Sequence, residues 1–156
     1  MSKGLGIIGI DPGKGGGACI LRPEHYSRGH ELDLKPWKID HEFIDMMQSL
    51  NPYDYDVVIE DVPAFVSAAT SNASSFKLGY NYGVIVGTCR SLRFPTHLVK
   101  PQVWQKGLQG LRPKMGYTAR KRCLKDNAIR LYPDAKITNA TADAVLIMNW
   151  FKNEHG

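Results

Sequence analysis

The chain has 156 residues, a formal net charge of +5, and a composition that is 43% hydrophobic and 22% charged. That length bounds it to a single domain, 1–156, with a real core. No apolar run approaches the roughly 18 residues of a membrane span, and the N-terminus shows neither the basic start nor the apolar core of a signal peptide, so the expectation is a cytoplasmic protein with no membrane partner. Cys19, Cys89 and Cys123 are odd in number, widely spaced and without a CxxC pair; they read as reduced thiols, with neither zinc nor disulfides indicated.

The first segment, LGIIGIDPGKGGGACIL (Leu5 to Leu21), holds two apolar stretches around a glycine-rich turn. Ile7, Ile8 and Ile10 predict a buried strand, and Gly16 to Leu21 a second strand pairing back onto it. Asp11 closes the first. Asp-Pro-Gly is ordinary turn chemistry, so from this segment alone Asp11 could cap a turn, point past a nucleotide phosphate or hold a metal ion. The choice depends on which other carboxylates meet it.

Glu31 to Ile39 predicts a third strand, on an edge because of Pro36. Asp40 to Leu50 opens with a capping residue and has helical spacing at Phe43, Met46, Met47 and Leu50. Asp56 to Val62 is β-branched and apolar, and predicts a central strand parallel to the first. A small-residue loop, SAATSNASS, leads into a long helix from about Ser74 to Leu92. Thr96 to Pro101 gives a fifth strand. Helices follow around Gln102 to Leu108, Thr118 to Tyr132 and Thr141 to Lys152. The order describes an α/β domain, a mixed five-stranded sheet flanked by helices. Ligands of such sheets gather at the carboxyl ends of central strands, where Asp11 stands.

Two further acids are placed to reach it. Glu60 ends the apolar run Val57-Val58-Ile59. The strand period of two puts Val58, Glu60 and Val62 on one face and Ile59 and Asp61 on the other, so one member of the Glu60–Asp61 pair faces Asp11. Glu60 is favoured, with Asp61 in reserve. In TADAVLIMNWF, Asp143 shares a helical face with Leu146, Ile147 and Trp150. An acid in the first turn is favoured by the helix dipole, yet an acid aligned with a buried stripe is costly unless something pairs with it. A cation shared by Asp11, Glu60 and Asp143 accounts for that placement. Three acids make a hard, all-oxygen site suited to Mg²⁺ or Mn²⁺. Two such ions about 4 Å apart activate water and stabilise the leaving oxygen in phosphodiester cleavage.

The charge is localised. Between Arg112 and Arg130, seven bases (Arg112, Lys114, Arg120, Lys121, Arg122, Lys125, Arg130) face one acid, Asp126. That window carries more positive charge than the whole chain, which points to a polyanion and favours nucleic acid over a merely solvated helix face. Leu124, Ala128, Leu131 and Tyr132 are the expected buried stripe of its helix. The metal site and the basic segment together predict a metal-dependent nuclease.

With these features in place, the sequence resembles the RuvC family of Holliday junction resolvases, in the RNase H-like superfamily, and particularly its phage-type members. GIDPG (Gly9 to Gly13) looks like the family's first-strand motif, VIEDV like the strand bearing the second acid, and FKLGYNYGVIVG (Phe76 to Gly87) like the helix after it. VKPQVWQKGL (Val99 to Leu108) and ADAVLI (Ala142 to Ile147) match the late segments in order and spacing. The resemblance implies an RNase H-like fold and a homodimer, in a bacterial cytosol or phage-infected cell, that binds four-way DNA junctions and makes paired nicks with Mg²⁺. Carried over by motif, Asp11, Glu60 and Asp143 are its metal ligands. The family's fourth site residue, Asp or His, falls at Asn139, a neutral and weaker ligand. The resemblance also assigns Lys100 near the scissile phosphate and Lys121 to DNA contact; for the aromatic at the junction centre, a position that itself holds Pro63, Phe65 is the nearest substitute, with a plain core Phe the favoured reading. Arg112, Lys114, Arg120, Arg122 and Lys125 would add phosphate contacts. Trp104 and Trp150 read as core.

Two rival readings remain. An actin- or sugar-kinase-like nucleotide binder also opens with GIDxG, but it needs a second domain and a second glycine-rich loop, so no nucleotide cofactor is expected. The other is a junction-binding protein with weakened or lost cleavage, to which Asn139 gives substance.

Overall fold

The computed structural model describes residues 5–25, 31–36, 41–62 and 71–156. Its strands are β1 (Gly6–Asp11), β2 (Gly17–Leu21), β3 (Leu32–Pro36), β4 (Tyr55–Glu60) and β5 (Thr96–Val99). They form one mixed sheet in the order β3-β2-β1-β4-β5. β1, β2 and β3 pair antiparallel, and β4 runs parallel to both β1 and β5. The expected mixed five-stranded sheet is present, with β3 on an edge and β1 and β4 central. The helices are α1 (His41–Gln48), α2 (Asn72–Ser91), α3 (Pro101–Trp104), α4 (Tyr117–Leu131) and α5 (Ala142–His155). Asp40, Ile39 and the loop residues 63–70, with Pro63 and Phe65, lie outside the described residues.

The alternation of side chains sorts each strand between two cores. Ile8, Ile10, Ala18, Ile20, Val57 and Ile59 pack with Phe43, Met47, Ile85 and Cys89 of α1 and α2. Ile7, Cys19, Leu21, Val58 and Val99 pack with Trp104, Leu124, Ala128 and the apolar residues of α5. Each fully buried aliphatic side chain contributes about 1.5–3 kcal/mol relative to leaving it in water. The parity that puts Ile7 and Val58 on the α5 side also puts Asp11 and Glu60 there.

Gly9 sets how closely α5 sits. A Cβ at that position would lie 2.4 Å from the Ala144 carbonyl oxygen and 2.9 Å from Met148 Cβ. The helix therefore rests directly on the backbone of β1. Ala142 to Met148 are all buried, because α5 is enclosed between the sheet and α4. The expected single stripe is in fact burial all round the first two turns.

One expectation about α4 is corrected. Leu131 is 47% exposed, while Asn127 is buried in its stead. Asn127 Oδ1 accepts the Gln109 N–H at 3.0 Å, and Nδ2 donates to the carbonyls of Gln109 at 2.8 Å and Cys123 at 2.9 Å. This polar residue is buried because it ties the α3–α4 loop to the helix. α3 is also shorter than expected, ending at Trp104. Among the described residues no helix is long and apolar enough to cross a membrane.

Candidate active site

Asp11 is the last residue of β1 and is 7% exposed. The chain turns sharply around its side chain: the Gly13 N–H donates to Oδ1 at 3.1 Å, and the Gly16 N–H to the Gly13 carbonyl at 3.0 Å. A Cβ on Gly16 would stand 2.3 Å from the Asp11 carbonyl oxygen, so the return strand passes only because that residue is glycine. Turn chemistry and a site role are thus compatible at Asp11.

Glu60 ends the neighbouring parallel strand β4, half-buried, in register with Val99 of β5. Trp104 Nε1 donates to Glu60 Oε2 at 3.0 Å. Asp61 faces the other way and accepts the Tyr82 hydroxyl of α2 at 3.0 Å. Of the adjacent pair, then, Glu60 is on the Asp11 side. Asp143, in the first turn of α5, is 8% exposed. Its Oδ2 accepts Lys121 Nζ at 2.9 Å, and its Oδ1 is buried with no hydrogen-bond partner.

The electrostatics show that these groups feel one another. Burial, then the charge of Asp143, pushes the Asp11 carboxyl up to about 6, against the pull of the Gly13 N–H and Lys121. Burial, then Asp11 and Asp143, pushes Glu60 up to about 7, with Trp104 and Lys121 opposing. Burial pulls Lys121 down, but Asp143, beside it, and Asp11 more than offset this and hold its ammonium above the usual lysine range.

Three carboxylates on one face against one ammonium leave an excess of negative charge in a poorly solvated place. An orphaned Asp143 Oδ1 and two carboxyls held toward their neutral form are both relieved by an added divalent charge, so the donor set fits a hard cation bound through oxygen. Among the described residues, no group of three or more His, Cys, Asp or Glu stands close enough together to hold a metal ion as it is. Unneutralised acids repel, and an ion would have to draw them in.

The other expected residues stand farther from this centre or differ in aspect. Asn139 lies exposed in the turn before α5, where the Thr138 carbonyl accepts the N–H of Thr141 and Ala142 at 3.2 and 3.0 Å. It lies outside α5, which starts at Ala142. Lys100 is exposed at the N-terminus of α3. Arg112, Lys114 and Arg122 are exposed, Lys125 partly so, while Arg120 donates to Gln105 Oε1. Lys121 departs from the expected outward-facing contact, because its ammonium points into the acids. Trp104 and Trp150 pack on the core, as read from the sequence. The bond from Trp104 to Glu60 was missed, and nothing in the residue pattern announces it.

Sheet order, the central parallel pair and the helices on both faces define an RNase H-like fold of the RuvC type. In keeping with that, the chain is similar to Thermus thermophilus RuvC solved in complex with a Holliday junction substrate, with a TM-score of 0.62 and 12% identity over 97% of this chain and 96% of that one. A second structure of Thermus thermophilus RuvC gives a TM-score of 0.58 and 12% identity, over 96% of each chain. Structural likeness at this low identity establishes the fold alone. No protein-family model matches the chain, and no curated protein matches it.

Proposed function

We propose that this chain is a metal-dependent, structure-selective endonuclease that binds four-way DNA junctions as a homodimer and resolves them by paired nicks. The observation that supports it best is that Asp11, Glu60 and Asp143, from β1, β4 and α5, lie near enough for their charges to act on one another. The full-length likeness to a RuvC solved with a junction substrate supports the same substrate class. The likeness to phage-type members rests on the sequence motifs alone.

Asp11, Glu60 and Asp143 would hold Mg²⁺ or Mn²⁺, and Asn139 would add an amide oxygen. Bound there, a pair of such ions supplies an activated water and stabilises the leaving oxygen. The chain's own residues do the rest. Lys121 offsets acid charge while no cation is bound, and Trp104 holds Glu60. Exposed Lys100, Arg112, Lys114 and Arg122 meet phosphate oxygens, which positions the duplex without reading its sequence.

The test is a labelled synthetic four-way junction with Mg²⁺ or Mn²⁺, run with the parent, Asp11→Asn and Asn139→Asp. Cleavage is expected from the parent, abolished by the first change and maintained or raised by the second. Cutting by Asp11→Asn at the parent rate would overturn the assignment. A second reading, junction binding with weakened cleavage, is favoured by the neutral, exposed Asn139. It predicts binding without a cut by the parent and recovery of cutting in Asn139→Asp.

A further inference from the structure

We propose that Trp104 is a positioning residue for Glu60: its indole N–H holds one carboxylate oxygen, Oε2, and so leaves Oε1 as the oxygen offered to a shared cation. The inference rests on the reading of Glu60 as a cation ligand and gives that ligand a fixed orientation.

Trp104 is 2% exposed and belongs to the core beneath α5. Apolar packing there asks only for a large ring. An indole brings in addition a buried N–H, which needs an acceptor. The acceptor is Glu60 Oε2 at 3.0 Å, and among the described residues this is the one hydrogen bond that the Glu60 side chain makes. The pairing is held from both sides. Glu60 is in register with Val99, and the Asp61 N–H donates to the Val99 carbonyl at 2.8 Å. From Val99 the chain passes through Lys100 into α3, where Pro101 occupies the first turn and its carbonyl accepts the Gln105 N–H at 3.0 Å. Strand end and indole are therefore joined by a short, stiff connection, which fixes the distance between them. A carboxylate among like charges would otherwise swing toward solvent. Hydrogen-bonded partners behind a ligand set its orientation, and losing one weakens metal affinity by about 10- to 100-fold.

The test measures Mn²⁺ binding to the DNA-free protein by electron paramagnetic resonance. It compares the parent, Trp104→Phe, Glu60→Gln and the double variant. Trp104→Phe is expected to weaken binding about tenfold, and to add nothing once Glu60 is Gln. Parent-like affinity in Trp104→Phe overturns the inference. So does an equal loss in both backgrounds, which would mean that the ring acts by packing alone. If Glu60→Gln binds Mn²⁺ as the parent does, the ligand reading itself fails and takes this inference with it. Should Trp104→Phe not fold, the indole ¹⁵N–¹H resonance of Trp104 in the otherwise native chain serves instead, assigned by elimination with Trp37→Phe and Trp150→Phe. It is expected to move on adding Mg²⁺ to the parent and to stay in place in Glu60→Gln. A resonance that Mg²⁺ leaves unmoved in the parent sinks the proposal.

Discussion

Lys121 Nζ stands 2.9 Å from Oδ2 of Asp143, so the chain places a cation of its own beside one of the three acids that raise one another's carboxyls. The ammonium also acts at longer range on Asp11 and Glu60, drawing both toward the ionised form. A lysine in that position stabilises the metal-free protein, and it would compete for Asp143 with the divalent ion of the proposed function.

Replacing it separates those effects. Lys121→Met keeps most of the stem's packing but leaves both oxygens of a buried Asp143 without a partner. The expected cost to the metal-free protein is about 2 kcal/mol at neutral pH, since breaking one side of a buried pair strands the other charge. Mn²⁺ should bind more tightly than to the parent, and the gain in melting temperature on adding it should be larger. Thermal denaturation with and without Mn²⁺ checks both. A weaker Mn²⁺ affinity in Lys121→Met would show that the lysine does not compete for the site.

How far this arrangement was legible in the sequence depends on the residue. Asp11 and Glu60 could be placed on one face because strand parity is strict, and Asp143 because a charged side chain had fallen in line with Leu146 and Ile147. Lys121 carried a usable signal that was outweighed by its neighbours: it lies three residues before Leu124 and seven before Ala128, on the helix's buried stripe. The density of bases around it argued for an outward face that meets a polyanion. Asn127 and the Trp104–Glu60 bond were illegible for another reason. Each is a partnership between segments brought together only by the fold, and no local periodicity encodes it. The all-round burial of the start of α5 is likewise a property of the α4 and sheet surfaces that enclose it.

The pH dependence of stability follows from the raised carboxyls. Asp11 is held at about 6 and Glu60 at about 7, above their ordinary values. Protons therefore bind the folded state more tightly than the unfolded one. The resulting stabilisation is complete below about pH 4 and is lost as pH rises through the folded values. For Asp11 alone the loss amounts to about 3 kcal/mol. In chelator, the melting temperature should fall between about pH 5 and about pH 8. Saturating Mg²⁺ or Mn²⁺ should flatten that fall, because a bound cation favours the ionised carboxylates, and Asp11→Asn should reduce it without metal. A chelated protein equally stable at both ends would mean that the acids are better solvated than their burial implies.

Gly9 tests the packing that brings α5 over β1. The Cβ of alanine would meet the Ala144 carbonyl at 2.4 Å, and neither the strand nor the helix backbone can yield cheaply. Gly9→Ala should destabilise the fold by about 3 kcal/mol in urea denaturation. It should also weaken Mn²⁺ binding in the fraction that folds, because the helix carrying Asp143 must move away from Asp11. Stability within experimental error of the parent would contradict the close approach.

The last prediction concerns the basic segment. Arg122 is exposed and Lys125 partly exposed, both on α4, and neither forms an ion pair among the described residues. Each is available to a phosphate, and neutralising a phosphate releases condensed counterions. Affinity for duplex arms therefore falls with salt by a slope of about −0.9 per contact. Combining Arg122→Ala with Lys125→Ala should weaken junction binding at low salt and make the slope of log affinity against log salt shallower by about 2. The loss should be equal for junctions of different sequence, since phosphate contacts carry no base information. Lys121→Met combined with Arg122→Ala should flatten the slope less than two exposed contacts would, if Lys121 remains with Asp143 in the DNA-free protein. A slope unchanged by Arg122→Ala with Lys125→Ala would take α4 out of the interface and return its charge to solvation.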